Sequence, residues 1–381
     1  MAYFDNNATT PLHPSARESF QQAMSENWSN PSSPYRASAL VRASMQKSRE
    51  EICATYGVSP DHLVFTSGAT EANNSVFSNL ERTTGESSRV LISPYEHPSI
   101  SEAAQRWFPH RVDCLSAKKD GSIFIDEVEN YLKNESPPCL VAVMAASNES
   151  GVIQPWREVA LLCREHGIPY LCDSTQFPGK ARLDELSLCT YNVASAHKFG
   201  GPKGIGWLLG EGASSLLVGG MQEKGRRGGT ENFPAIISAS TAWKSGVETL
   251  PDTNKLASLR NDFETHMGKF FPDIKFIGKD APRLWNTSLF VLPSFDNLKW
   301  VGKMDKLGFQ ISTGSACATH KVGGSPVASA LELSSGETQR LVRVSSWQSH
   351  SLTDWEKLSE AFQKASTSLE EEFADSSVIS L

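Results

Sequence analysis

The chain has no apolar run long enough to span a bilayer. Its opening, Met1-Ala2-Tyr3-Phe4-Asp5, has neither the basic stretch nor the apolar segment of a signal peptide. We therefore expect a cytoplasmic protein without a membrane contact. No sustained Lys/Arg block is present, and 36 basic against 43 acidic residues leave a formal net charge of -7. That balance argues against direct nucleic-acid or anionic-lipid binding, a local basic patch at 224–227 notwithstanding, and points to small molecules and proteins as partners. None of the 7 cysteines forms a CxxC pair. Their odd number and scattered positions, 53, 114, 139, 163, 172, 189 and 317, disfavour a disulfide framework and a structural zinc site, so no metal is expected. Internal repeats and low-complexity tracts are also missing.

What is there is an ordinary globular composition, 39% apolar and 21% charged, in a chain of 381 residues, long enough for two domains. Helical spacing runs from Ser15 to Glu26 and again from about Ser38 to Tyr56. Strand-like runs then follow at 63–65, 90–92, 140–145, 170–172 and 192–194, separated mostly by helical segments. In one of these, Val159, Leu162, Cys163 and His166 fall at i, i+3, i+4 and i+7. Strand and helix in alternation predict an α/β fold with a mainly parallel sheet covered by helices on both faces. Pro251-Asp252-Thr253-Asn254 reads as a boundary. Beyond it come an amphipathic helix to about Phe271, short strands near 288–291 and 309–312, and a last helix from Thr353 to about Phe373, the pattern of a smaller α+β domain.

Parallel sheets gather ligands at the carboxyl ends of their strands, so the polar residues there belong together. After the first strand, Thr66-Ser67-Gly68-Ala69-Thr70 reads as turn and helix start, where backbone N–H groups and the Thr70 hydroxyl could hold a phosphate or Thr70 could simply cap the helix. His97 could stack on an aromatic cofactor and move protons, or be an idle loop residue. Asn148 could bond a ring oxygen or a substrate carboxylate. Asp173 could sustain a pyridinium proton or sit in a structural ion pair, and Gln176 could donate to the phenolic oxygen of the same ring. Lys198, between His197 and a glycine-rich loop, could form a Schiff base with an aldehyde or be a solvated surface amine. The loop at 200–206 lacks both the GxxxxGK[ST] and the GxGxxG spacing of nucleotide sites. Six cysteines read as core residues. Cys317 stands instead in a small-residue loop with little to pack.

Taken in order, seven stretches resemble one family. They are Asp5-Asn6-Asn7-Ala8-Thr9-Thr10, Asn30-Pro31-Ser32-Ser33, Thr66-Ser67-Gly68-Ala69-Thr70-Glu71-Ala72-Asn73-Asn74, Glu96-His97-Pro98, Ser195-Ala196-His197-Lys198, Gly225-Arg226-Arg227-Gly228-Gly229-Thr230-Glu231-Asn232 and Ser312-Thr313-Gly314-Ser315-Ala316-Cys317. The chain is similar to the cysteine desulfurases of the NifS/IscS-like group, within the class-V aminotransferases. The resemblance implies a pyridoxal 5'-phosphate (PLP) enzyme of the type I, aspartate-aminotransferase-like fold. It implies a large PLP-binding domain over 14–250 and a small domain made of 1–13 plus 251–381 that carries the cysteine loop.

It also implies a homodimer that converts L-cysteine to L-alanine. The sulfur passes to Cys317 as a persulfide and then to an acceptor protein of iron-sulfur cluster assembly or thiolation. Position by position, Lys198 resembles the Schiff-base lysine, Asp173 the pyridinium partner, Gln176 the ring-oxygen donor and His97 the residue stacked on the ring. Asn148 resembles a ring and substrate contact. Ala69, Thr70, Ser195 and His197 match phosphate contacts, joined by Thr230 from the other subunit. Arg343 resembles the clamp for the substrate carboxylate, a task for a planar bidentate donor. The chain departs from the family pattern at Tyr35 and Ser38, at Ser150 in Asn148-Glu149-Ser150-Gly151, and at His320-Lys321-Val322-Gly323-Gly324. The alternatives are a selenocysteine lyase or an aminotransferase of the same fold, and, in a different class, a non-catalytic partner in a sulfur pathway.

Overall fold

The computed structural model describes residues 1–212, 216–248, 250–314 and 325–378, the side chains to 375. The chain opens with β1 (Ala2–Tyr3), which pairs not with its neighbours in sequence but, in parallel, with β11 (Phe309–Gln310). Two helices follow, Pro14–Glu26 and Arg36–Tyr56. The first begins on Pro14, whose fixed φ suits a first turn, and the second ends at Gly57 in the left-handed conformation.

A seven-stranded sheet comes next: β2 (Leu63–Thr66), β3 (Val90–Ile92), β4 (Val112–Cys114), β5 (Leu140–Ala142), β6 (Tyr170–Asp173), β7 (Tyr191–Ser195) and β8 (Gly206–Leu209). Their spatial order is β2-β8-β7-β6-β5-β3-β4, and β8 is antiparallel to both of its neighbours. The other six strands therefore run one way, and the expected mainly parallel sheet is present. β2, β3, β5, β6, β7 and β8 are buried at every position, as strands covered on both faces must be. The run expected over 140–145 is shorter as a strand, yet its ladder continues, with Val143 N–H bonding Leu171 O at 3.2 Å and Ala145 N–H bonding Asp173 O at 2.9 Å.

Gly206, at the start of β8, shows how tightly the site edge is drawn. A Cβ there would lie 2.3 Å from Ala194 O and 2.7 Å from Gly68 Cα, so only glycine lets β7, β8 and the turn after β2 meet.

The remaining strands, β9 (Lys275–Ile277), β10 (Thr287–Val291) and β12 (Leu341–Ser345), form an antiparallel sheet in the order β12-β10-β9. It packs on the helices Thr253–Phe270 and Leu352–Val378 through an aromatic cluster of Phe4, Phe263, Phe290, Trp300, Trp355 and Phe362. A larger apolar cluster follows the main sheet and reaches into this region through Leu289, Val291 and Leu341. Among the described residues no helix is long and apolar enough to cross a membrane. Two cysteines depart from the core placement expected for them. Cys114 is exposed at the end of edge strand β4, where one neighbouring strand is too few to enclose it, and Cys139 is half-buried at the entry to β5.

Candidate active site

The six co-directed strands deliver their polar termini to one edge. Lys198 ends the short turn Ala196–Lys198 directly after β7. Its Nζ donates to Asn7 O at 2.7 Å and Ala8 O at 2.9 Å, so the N-terminal segment closes over the amine. Phe199, the next residue, is locked beneath by Trp207 and Trp243, with ring centroids 5.7 and 5.3 Å away. Such packing holds the turn in one geometry.

Asp173 closes β6 with its carboxylate buried, and its Oδ1 accepts the Thr175 N–H at 3.0 Å. A chain of bonds runs from it to His97: Asn73 Nδ2 donates to Asp173 Oδ2 at 3.3 Å and to Ser99 Oγ at 3.0 Å, and Ser99 Oγ lies 3.0 Å from His97 Nδ1. His97 also caps the helix Pro98–Trp107, its Nδ1 accepting the Ser99 N–H at 3.1 Å. Burial lowers the imidazole pKa against the pull of Asp173, and Lys198 adds to the lowering. His97 is thus neutral near pH 7. With Nδ1 accepting the Ser99 N–H, the proton of the neutral ring is assigned to Nε2.

Around the start of the helix Ala69–Thr83, Gly68 is the cap, so Thr70 is the second helical residue and not the N-cap. The reason is the sharp turn at Gly68, which a side chain would crowd against Ser195 Oγ. Ser195 Oγ accepts the Ala69 N–H at 2.8 Å, and Thr70 is exposed, its amide in the first turn without an intrahelical acceptor. His197 Nδ1 lies 3.2 Å from Thr9 Oγ1. Burial, with Lys198, Lys203 and Lys180 nearby, pushes its pKa down to about 4, so it too is neutral.

On the facing side, Arg343 in β12 is buried. Its Nη1 donates to Asn148 O at 3.0 Å and Gly314 O at 2.7 Å, and its Nη2 to Asp5 Oδ1 at 2.5 Å. Asn148 thereby joins the two sheets through its backbone, its O also accepting from Asn7 Nδ2 at 3.1 Å. Beside it, Glu149 has its pKa raised by burial to about 7, opposed in part by hydrogen bonding from Ser325 and by Arg343.

The class-V aminotransferase family model matches residues 2–351. A cysteine desulfurase IscS of Dictyoglomus turgidum is 30% identical over 340 residues, 87% of this chain and 86% of that relative. This chain belongs to the class-V aminotransferases, in their cysteine-desulfurase group. Two solved structures are similar along almost their whole length. A NifS-like protein has a TM-score of 0.86 at 27% identity, covering 96% of this chain and 99% of its own. SspA, solved in complex with cysteine, has 0.79 at 28%, covering 91% and 98%.

In this class-V aminotransferase Lys198, Asp173, His97, Gln176, Ser195 and Ala69 stand together at one edge with Asn148, which follows β5, and Arg343 reaches Asn148 from the other sheet. Thr230 is exposed, just before the helix Phe233–Gly246, and the single chain brings it against none of them. Cys317 lies outside the described residues. Asn7, Asn73, Ser99 and Lys180 had no role assigned from sequence. Their signal was weak, since Asn7 and Asn73 are small polar residues inside recognised stretches, Ser99 is one just beyond another, and Lys180 is one lysine among many; only burial sets them apart.

Proposed function

We propose that the protein is a cysteine desulfurase, a PLP-dependent transferase that turns L-cysteine into L-alanine and moves the sulfur to Cys317. The observation that carries this reading is the convergence of the Lys198 amine, the Asp173 carboxylate and the His97 imidazole at the carboxyl ends of β6, β7 and the β3 loop. Two buried polar atoms flanking Asp173, Asn73 Oδ1 and Thr175 Oγ1, have no partner among the described residues, as fits a cleft that takes a polar guest. Lys198 would hold PLP through its aldehyde carbon, Asp173 would pair its pyridine nitrogen and Gln176 its phenolic oxygen. His97 would cover the ring face. The phosphate would take Ala69, Thr70, Ser195 and His197, with Thr230 from the second subunit of a homodimer. Val218 and Met221, 89% and 83% exposed, are tied next to that stretch by the Gly228 N–H to Leu217 O bond, and they support a partner surface there.

Bound there, PLP supplies an electron sink for charge developing at the substrate's α-carbon. The chain's own residues do the rest. Arg343 orients the substrate carboxylate with help from Asn148, and Lys198, once displaced by the substrate amine, takes the α-proton. The Cys317 thiolate attacks the substrate sulfur: an S–S bond forms, the Cβ–S bond breaks, and its electron pair stays with the carbon that is then protonated to give alanine. His97, with its proton on Nε2, is placed to deliver a proton. The persulfide then passes its outer sulfur to an acceptor protein of iron-sulfur assembly or thiolation in the cytoplasm. The division into 14–250 and 1–13 plus 251–381 belongs to the same reading, with the cysteine loop carried by the smaller part.

The test is Cys317→Ala in the PLP-loaded protein. The visible cofactor band stays and sulfide release from L-cysteine falls by at least ~10²-fold, the loss of a nucleophile. Undiminished release would remove Cys317 from the reaction.

A further inference from the structure

Beneath the site lies a lysine with no role in the chemistry above. Lys180 is 2% exposed, and the cations Lys198 and Arg343 are its electrostatic neighbours. It is turned inward by Pro178-Gly179. Gly179 has φ +74°, and a Cβ there would meet the Trp347 ring at 2.7 Å, so this turn is closed to other residues. Trp285 Nε1 fastens it by donating to Lys180 O at 3.1 Å.

Lys180 Nζ donates to Gln176 Oε1 at 2.6 Å and to Asn7 Oδ1 at 3.2 Å. Burial and the two neighbouring cations push its pKa well down, yet even a neutral amine has a hydrogen for each of those oxygens. The Asn7 amide is itself fixed, because Nδ2 donates to Asn148 O, which can only accept, and Oδ1 also takes Asn286 Nδ2 at 2.9 Å. Gln176 is therefore gripped from two sides. Its Oε1 faces Lys180, and its Nε2 donates to Asn7 O at 3.1 Å, the same oxygen that accepts from Lys198 Nζ at 2.7 Å. The Gln176 N–H₂ and the Lys198 amine thus converge on one carbonyl. The second hydrogen of that N–H₂ has no acceptor among the described residues. In PLP the phenolic oxygen is next to the aldehyde carbon, so with Lys198 holding that carbon the Gln176 N–H₂ would be the donor nearest to hand for the oxygen.

We propose that Lys180 is a positioning residue: by holding Gln176 Oε1 it keeps the Gln176 amide turned so that Nε2, not Oε1, meets the phenolic oxygen of the cofactor. This rests on the reading of Lys198 as the cofactor lysine. Without Lys180 only the Nε2 bond to Asn7 O opposes a rotation that would present the amide oxygen to a negatively charged oxygen. A donor on the ring oxygen stabilises its charge and loosens its hold on the neighbouring proton, so losing the donor raises the pH midpoint of the cofactor's visible band.

The experiment is a pH titration of that band in the PLP-loaded protein for wild type, K180M, Q176A and the double variant. K180A, whose void admits water of either hydrogen-bonding sense, is read alongside in case K180M does not fold. K180M and Q176A each raise the midpoint by about one pH unit, the size of one hydrogen bond to a charged group, and the double variant goes no further than either alone. A midpoint unmoved by K180M or K180A, or shifts that add in the double variant, would overturn the positioning role while leaving the cofactor reading intact. A wild-type protein that acquires no visible band with PLP would overturn the cofactor reading itself.

Discussion

The two larger sheets bury their residues by different means. The seven-stranded sheet is sealed by apolar side chains along its strands and turns polar where they end: Asp173, Ser195 and the His97 loop come after buried positions such as Leu171, Val193 and Ile92. The three-stranded sheet has an aromatic underside, with Phe290 0% exposed and ring centroids of Phe263, Phe276 and Phe362 at 6.1, 5.8 and 5.7 Å. On its strands, however, Thr287, Arg343 and Ser345 are buried polar residues that bond Asn7 or its neighbour Asp5. One sheet offers chemistry at its ends and the other along its face. The N-terminal segment, lying between them, joins both sets of groups.

This contrast can be broken first at Lys198. Lys198→Ala is expected to reduce cysteine turnover by ~10⁴-fold, at the top of the range for a proton-transfer group, with stability largely retained. Activity of the purified variant checks it, and a modest loss would mean that the strand ends do not carry the reaction. The converse holds for Phe290→Ala, which should cost ~3–5 kcal/mol in urea denaturation yet leave turnover per folded molecule close to wild type. A large fall in turnover would show that the aromatic underside does more than support.

The smallest effect concerns Glu96, fully buried behind the site. Its Oε1 accepts from Ser93 Oγ at 2.6 Å and the Met144 N–H at 2.7 Å, and Oε2 has no partner among the described residues. Burial raises its pKa from 4.5 to about 8, Asp173 adding to the rise. The folded state thus binds this proton more tightly than the unfolded one, and the stability so gained is full below pH 4.5 and lost as pH rises through about 8. Glu96→Gln, neutral throughout, should flatten that decline when unfolding is followed from pH 5 to 8. An unchanged slope would place its source elsewhere.

Much of this was legible before any coordinates. The runs at 63–65, 90–92 and 170–172 became strands because continuous apolar stretches between helical segments leave a buried parallel strand as the natural reading. Strand β8 was hidden inside a glycine-rich stretch, and β4, whose side chains are half-buried or exposed, carries no strong apolar signal. Thr70 read equally well as a cap, since its hydroxyl suits either place; the turn at Gly68 decided otherwise.

Sequence by itself determined the family, the direction of the sheet and the edge where polar residues would meet, because periodicity and motif order are local properties. Only tertiary structure decided that Asn7, 173 positions from Lys180 and 191 from Lys198 as its bonds are counted, would tie these amines to Gln176 and to both sheets. The physical reason is that a buried polar atom must find a partner wherever the fold brings one within about 3 Å, and no pattern along the chain encodes who that partner will be.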